Sequence, residues 1–232
     1  QLDELKIIVF GFPHNPTSRV GDQSWLDAAM KCGLDHDVVI AHDNPYVDLS
    51  LEGESPALLR CDGWRECGIE FFSFSKAWCL GGFRLAFAIG ASKLISALRQ
   101  VKSVVDFNQS LALQMGAIEA LSSYGSWPKH IVEIYRQRRD RTIQALSELG
   151  WEIPIPSMAM YLWMPLPNWA KSQGWNDESV SADVLNQTGI ALTPGSGFGV
   201  GGSDWLRLAL VRPADELEAA VSRLRPWWNA YS

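Results

Sequence analysis

A chain of 232 residues, 47% hydrophobic and 20% charged, has the make-up of a soluble globular protein with room for one large domain or a large and a small one. Its net charge of −6 and pI near 5.2 leave no basic footprint for nucleic acid, and no apolar run approaches the ~18 residues of a membrane helix. Cys32, Cys61, Cys67 and Cys79 lack paired spacing and stand beside only four histidines, which points to thiols in a reducing cytoplasm and away from a zinc site or disulfide frame.

Leu5–Phe10 is the first short apolar run; Asp3 and Glu4 ahead of it make it a strand and not a signal peptide. Between Asp22 and Cys32, Trp25, Ala28, Ala29 and Cys32 recur at helical spacing. Val38–Ala41, Ile69–Ser73 and Leu85–Ile89 again read as buried strands, rich in Val, Ile and Phe and bounded by Gly, Pro or Asp. Strands alternating with helical connectors predict an α/β fold with a mostly parallel sheet, whose ligand groups gather at the carboxyl ends of the strands. Residues 92–149 read as helical, with Leu111, Met115, Ile118 and Leu121 on one face and Ile131, Ile134, Tyr135, Leu146 and Leu149 in a longer helix after Pro128. Tyr161–Met164, Ile190–Thr193 and Leu206–Val211 return to strand character, and a last helix after Pro213 aligns Leu217, Val221 and Leu224. The order predicts an α/β block with a helical connector over residues 1–150 and a smaller α+β block over 151–232.

The most informative segment is Ser73-Phe74-Ser75-Lys76, with Arg84 eight residues on. A lysine that follows an apolar run is exposed to desolvation, which disfavours the ammonium form. A lysine held partly neutral is a nucleophile toward an aldehyde. Two serine hydroxyls and a planar guanidinium suit a phosphate group. Aldehyde and phosphate together point to pyridoxal 5'-phosphate (PLP), bound as a Schiff base through Lys76.

Further residues stand where strands should end. Asp43 follows Val38–Ala41 and precedes Tyr46 in Asp43-Asn44-Pro45-Tyr46. A carboxylate there can keep a pyridine nitrogen protonated, and a tyrosine hydroxyl can donate to a phenolic oxygen; taken alone, Asp-Asn-Pro is also ordinary turn chemistry. Asn15, in Pro13-His14-Asn15-Pro16-Thr17, offers an amide donor to cofactor or substrate, in a dipeptide whose bond can be cis. Arg207 interrupts the apolar run Trp205–Val211, where a buried charge needs a partner such as a substrate carboxylate, unless the residue faces outward. Gly197-Phe198-Gly199-Val200-Gly201-Gly202 has the GxGxxG spacing of dinucleotide sites, but a strand and not a helix follows it, so it reads as a loop at the edge of a site. His14, His36, His42 and His130 show no metal-ligand spacing, and Trp151, Trp163, Trp169 and Trp175 read as packing residues near a side-chain pocket at most.

In order and spacing these residues resemble the class I/II aminotransferases of the fold type I PLP enzymes. Asn15-Pro16-Thr17 is similar to that family's Asn-Pro-Thr-Gly turn, Asp43–Tyr46 to its Asp-x-x-Tyr motif, and Ser73–Lys76 with Arg84 to its PLP-lysine signature. Arg207 follows Pro194-Gly195-Ser196-Gly197-Phe198-Gly199, similar to the family's Pro-Gly-x-x-Phe-Gly loop. The resemblance implies a partial PLP-transferase large domain followed by a small α+β C-terminal domain, a cytoplasmic homodimer, and amino-group transfer between an amino acid and a 2-oxo acid. It implies that Lys76, Asp43 and Tyr46 are catalytic, that Asn15, Ser73, Ser75 and Arg84 join them in binding the cofactor, and that Arg207 and Asn15 bind substrate. Ser18 stands where the family has glycine, and Cys79 where it has a small or aliphatic residue. The family's glycine-containing phosphate turn, ring-stacking aromatic and partner-donated tyrosine are not found before Gln1, which implies the carboxyl-terminal portion of such an enzyme. A PLP-dependent C-S lyase or eliminase, a non-catalytic ligand-binding module and an inactive fragment are the competing readings; aspartate, alanine, aromatic, methionine and diaminopimelate-type substrates all stay open.

Overall fold

The computed structural model describes residues 4–232, and contacts divide the chain into two units: residues up to 14 with 19–132, and residues 15–18 with 133–232. In chain order the elements are β1 (Ile7–Gly11), α1 (Gln23–His36), β2 (Val39–Asp43), α2 (Trp64–Cys67), β3 (Gly68–Ser73), β4 (Ala86–Gly90), α3 (Ser92–Val105), α4 (Leu111–Ser122), α5 (Trp127–Leu149), β5 (Tyr161–Pro165), α6 (Asn168–Ser172), α7 (Asp177–Thr188), β6 (Thr193–Pro194), β7 (Trp205–Ala209) and α8 (Ala214–Tyr231).

The first unit is built on the sheet β1-β2-β3-β4, parallel across its first three strands and antiparallel at β4. Gly11 pairs with Asp43 and Asp43 with Phe71, so the carboxyl ends of β1 and β2 stand level and β3 runs on to Ser73. One sheet face packs on α1: Leu26, Met30, Val38, Ile40 and Leu58 are 0–1% exposed in one cluster, each such side chain contributing about 1.5–3 kcal/mol. Asp22 starts α1 by accepting a hydrogen bond from the Ser24 amide, and Asp37 ends it in the left-handed region (φ 52°). The helix therefore runs four residues beyond Cys32. Pleating sends alternate residues to the other face, a depression of about 660 Å³ whose lining includes Ile7, Val9, Ala41, Asp43, Phe71 and Ser73.

The helical stretch 92–149 breaks after Val105 and again after Ser122. In α4 the expected apolar face is turned outward: Leu111, Met115, Ile118 and Leu121 are 45–73% exposed, whereas Ala117 is buried. The smallest residues set the packing side, since a Cβ on Gly116 would lie 3.0 Å from the Phe83 ring. Pro128 lies in the first turn of α5, where its missing N–H is harmless.

The second unit carries the antiparallel sheet β5-β7-β6. The expected strand over Ile190–Thr193 is reduced to Thr193–Pro194. Thr193 and Pro194 pair with Arg207 and Leu206, and a 3₁₀ turn at Gly195–Phe198 follows at once. Trp169 packs against Trp175, Trp227, Trp228 and Tyr231 with ring centroids 5.3–6.0 Å apart, and Trp151 is 2% exposed with its indole N–H on the Pro165 carbonyl. Those tryptophans are core.

The glycines of the first sheet give a direct test. A Cβ on Gly90 would lie 2.7 Å from the Gly68 carbonyl oxygen and 2.8 Å from Ile69 Cα, whereas one on Gly11 meets nothing within 4 Å. Gly90→Ala should destabilise the chain by about 1–3 kcal/mol in urea unfolding, as overpacking does, and Gly11→Ala by much less.

Candidate active site

Lys76 stands in the turn that follows β3. Phe74, Ala77 and Trp78 in this turn are 2–6% exposed. The Leu80 amide donates to the Phe74 carbonyl (3.2 Å), the Cys79 amide to the Lys76 carbonyl (3.1 Å), and the Trp127 indole N–H to the Ala77 carbonyl (3.1 Å). Buried apolar anchors on both sides thus fix the lysine backbone. Lys76 itself is half-buried, not engulfed as its apolar neighbours suggested. Its Nζ lies 5.5 Å from the centroid of the Tyr46 ring, within cation–π range.

Tyr46 is 4% exposed and sits in the turn after β2, three residues beyond Asp43. Asp43 ends β2 on the open sheet face and shares that depression with Ser73. Partial desolvation pushes the Asp43 carboxyl above its ordinary pKa, and the neighbouring His42 pulls against that rise. Such a carboxylate gains from a bound cation or from a shared proton.

Ser73 closes β3, and its hydroxyl oxygen accepts the Ser75 amide at 3.1 Å. Because Ser73 pairs with Ala86 and the Phe74 amide bonds the Leu85 carbonyl, the antiparallel hairpin returns Arg84 to the level of Ser75. Arg84 is exposed, in the left-handed region (φ 51°), with one Nη1 bond to the Gly81 carbonyl at 3.3 Å. Among the described residues no carboxylate pairs with it. Within the first unit Asp43 and Ser73 line one depression, Lys76 stands over Tyr46, and the hairpin sets Arg84 at the register of Ser75.

Asn15 and Arg207 belong to the second unit. The Arg207 guanidinium lies 4.7 Å from both the Tyr161 and the Phe198 ring centroids. Its Nη1 donates to Asn15 Oδ1 at 2.7 Å and its Nη2 to the Thr193 hydroxyl at 3.5 Å. Arginine has no acceptor, so it must take the carbonyl end of the Asn15 amide, which leaves the NH₂ end to donate elsewhere. No carboxylate of the described residues meets Arg207, and its Nε is buried without a partner. A guanidinium held flat between two aromatic faces has the geometry to take a carboxylate in a bidentate fork. The Phe12–Pro13 and Asn15–Pro16 bonds are both cis. Ser18, at the position the family gives to glycine, has φ 52° and is held there by its hydroxyl donating to the Tyr161 carbonyl at 2.8 Å. Cys79, the other departure, also has positive φ (56°).

The GxGxxG-like segment forms two 3₁₀ turns, Gly195–Phe198 and Val200–Gly202, and then enters β7. No helix opens on it, so it is a loop and no dinucleotide cradle. Two residues hold this loop's surroundings: Trp163, read from the sequence as a packing residue, and Asp177, to which sequence reasoning assigned no role. Trp163 stacks on Trp205 (5.8 Å, 6°) and meets Phe198 edge-on (6.2 Å). Asp177, 3% exposed at the start of α7, accepts the Ser196 amide at 2.8 Å and thereby anchors the loop that presents Phe198.

PLP requires an amine, a cation-binding carboxylate and a phosphate cradle, and the donor set of the first unit supplies all three. Lys76 provides the amine and Asp43 the carboxylate; Ser73, Ser75 and the guanidinium of Arg84, which has no carboxylate partner among the described residues, suit the phosphate.

The profile of the family described as "Aminotransferase class I and II" matches residues 1–224. The chain is 34% identical over 224 residues to an LL-diaminopimelate aminotransferase of Dehalococcoides mccartyi, covering 96% of this chain and 56% of that protein. It is 30% identical over 226 residues to a glutamate-pyruvate aminotransferase of Escherichia coli, covering 97% and 54%. Among solved structures, a probable N-succinyldiaminopimelate aminotransferase from Thermus thermophilus is similar at TM-score 0.87 and 37% identity, over 97% of this chain and 59% of that one. BacF of Bacillus subtilis, substrate-bound, is similar at TM-score 0.91 and 27% identity, over 97% and 57%. The chain spans a little over half the length of the relatives it matches.

Burial pushes the Asp177 carboxyl up, but its hydrogen bonds, led by those of Ser196, together hold the pKa below the ordinary value of 3.8. Its contribution is therefore fully present above that value and lost as pH falls through the lower, folded-state value. The Ser196 amide resonance should stay constant from neutral pH to about pH 4 and move only below it. Asp177→Ala, which leaves the amide unsatisfied, should displace that resonance at every pH and cost about 1–3 kcal/mol in unfolding.

Proposed function

The chain belongs to the class I and II aminotransferases, and on that premise we propose that it carries the lysine, aspartate and arginine of a PLP-dependent enzyme moving an amino group between an amino acid and a 2-oxo acid. The observation that carries this reading is the Lys76 turn, which sets its ammonium 5.5 Å over the Tyr46 ring, three residues beyond the Asp43 carboxylate.

PLP, when bound, supplies the aldehyde that captures the substrate amine and a ring that spreads the electrons left on Cα. The chain's own residues do the rest. Lys76 would hold the cofactor through its side-chain amine, and that amine, when free, would serve as the general base and then the general acid for the proton at substrate Cα. Asp43 would face the ring nitrogen and favour its protonated form, because a partly desolvated carboxylate gains from an adjacent cation. Tyr46 would donate to the ring's phenolic oxygen, and the NH₂ of Asn15 would supply a further donor. Ser73, Ser75 and Arg84 hold the phosphate. Arg207 clamps the substrate α-carboxylate, with charge-assisted bonds of about 1.5–3 kcal/mol each, and the rings of Tyr161 and Phe198 keep its fork flat and partly dry.

In this reading residues 1–150 are part of the PLP-binding large domain with its helical connector, and 151–232 are the small domain. The whole protein is a cytoplasmic homodimer by resemblance to its family. The names of several relatives favour a diaminopimelate-type substrate and a place in amino acid biosynthesis.

Lys76→Ala should abolish the visible absorbance band that the PLP-treated protein develops, whereas retention of that band and of transamination would contradict the assignment. Arg207→Lys should weaken amino-acid binding by roughly tenfold to a hundredfold, because a point charge loses the bidentate geometry, and leave PLP affinity within about twofold. Equal loss of both affinities in parallel titrations would remove Arg207 from the carboxylate role.

A further inference from the structure

Glu70 lies inside β3, in the apolar run Ile69-Glu70-Phe71-Phe72, and is 0% exposed. Its register partner on β2 is His42, also 0% exposed. His42 Nδ1 is 2.8 Å from Glu70 Oε1, and Asn44 Nδ2 donates to the same oxygen at 2.8 Å. The Leu59 amide donates to Oε2 at 3.1 Å. One buried carboxylate thus takes bonds from the residues immediately before and after Asp43. The Asn44 side chain also reaches the Pro56 carbonyl (3.3 Å), and its amide the Phe71 carbonyl (2.9 Å).

Burial pushes the Glu70 carboxyl up, yet the hydrogen bonds of His42 and Asn44 outweigh it and keep it ionised below the ordinary range. An ionised carboxylate only accepts, so His42 carries a proton on Nδ1. His42 Nε2 and Asn44 Oδ1 are buried with no partner. The arrangement is costly, because apolar residues of similar volume usually fill a core at least as well as a buried ion pair, and orphaned polar atoms add to the cost. Around it the same face is apolar, with Phe12 edge-on to the His42 ring at 5.7 Å and Ile40 0% exposed. Packing alone gives no reason for a charge here.

Pleating does give one. His42 points into the core and Asp43 to the open face, so the direction of Asp43 is set by how firmly its neighbours are held. We propose that Glu70 is a positioning residue for Asp43: it grips His42 and Asn44 together and fixes where the Asp43 carboxylate stands at the end of β2. The proposal rests on the reading of Asp43 as the partner of the cofactor's ring nitrogen. It assigns a role to the carboxylate and to a histidine that no ligand spacing explained.

The test is reductive labelling of the full chain with PLP and borohydride, scored by peptide mass spectrometry as labelling of Lys76 relative to the other lysines of the same chain. Preferential labelling of Lys76 is expected. Asp43→Asn should lower that preference about tenfold and Glu70→Gln by a similar factor, and the double variant should fall no further than either single one, as expected for residues acting through one another. Asn44→Ala, which leaves the His42–Glu70 pair in place, is run in parallel and should behave like Glu70→Gln, with circular dichroism reporting the fold of each. Unchanged Lys76 preference in Glu70→Gln or in Asn44→Ala, or additive losses in the double variant, overturns the proposal while leaving the cofactor reading intact; so does unfolding of both variants, which would assign Glu70 to stability alone. Absence of any Lys76 preference in the unsubstituted chain, or indifference to Asp43→Asn, overturns the cofactor reading, and this proposal falls with it.

Discussion

Parallel hydrogen bonding of β2 to β1 and β3 is the constraint on which the rest of the first unit depends. Strands running in one direction deliver their carboxyl ends to one edge, and Gly11, Asp43 and Phe71 stand level there. The turns that carry Tyr46 and Lys76 leave from that edge, and the antiparallel β4 brings Arg84 back to it. Side-chain alternation has a period of two, so a slip of one residue in β2 would put His42 on the open face and bury Asp43. The hydrogen bonds of Glu70 to His42 and Asn44 oppose that slip at the one residue where it would matter most.

The second unit obeys the same alternation with different chemistry. In β7, Leu206 and Leu208 are buried while Arg207 faces the other way, toward Asn15, Thr193 and two aromatic rings. A left-handed, non-glycine conformation costs roughly 1–2 kcal/mol. At Ser18 that cost is offset by the hydrogen bond to Tyr161, which ties the segment bearing Asn15 to β5. Serine at this position is therefore a workable substitute for glycine, and no catalytic group is lost by it.

Much of this was legible in the sequence because it is local. Strand cores showed as short Val, Ile and Phe runs, and Lys76, Asp43 and Tyr46 as types at fixed spacing. Helix ends were not: α1 runs on to His36 because Asp37 can adopt φ 52°. Ile190–Leu192 has a strand's pattern, but the pairing with β7 begins only at Thr193. The apolar stripe of α4 did not reveal which side packs: Ala117 is buried and Gly116 comes close to the Phe83 ring while the stripe stays exposed. Contacts between distant residues were out of reach as well, such as Asn15 with Arg207, 192 residues apart. Glu70 is different. It carries the same signal as Arg207, a charge inside an apolar strand, and the question of what pairs with it leads to His42.

The account turns on the claim that one edge of the first sheet is a PLP site. The direct measurement is a PLP titration of the isotopically labelled chain followed by amide NMR. The amides of residues 43, 44, 46, 73–76 and 84 should shift together along a single saturable curve, with the α1 face of the sheet unmoved. Shifts spread without saturation over exposed lysines such as Lys31 and Lys93, with that edge silent, would contradict it.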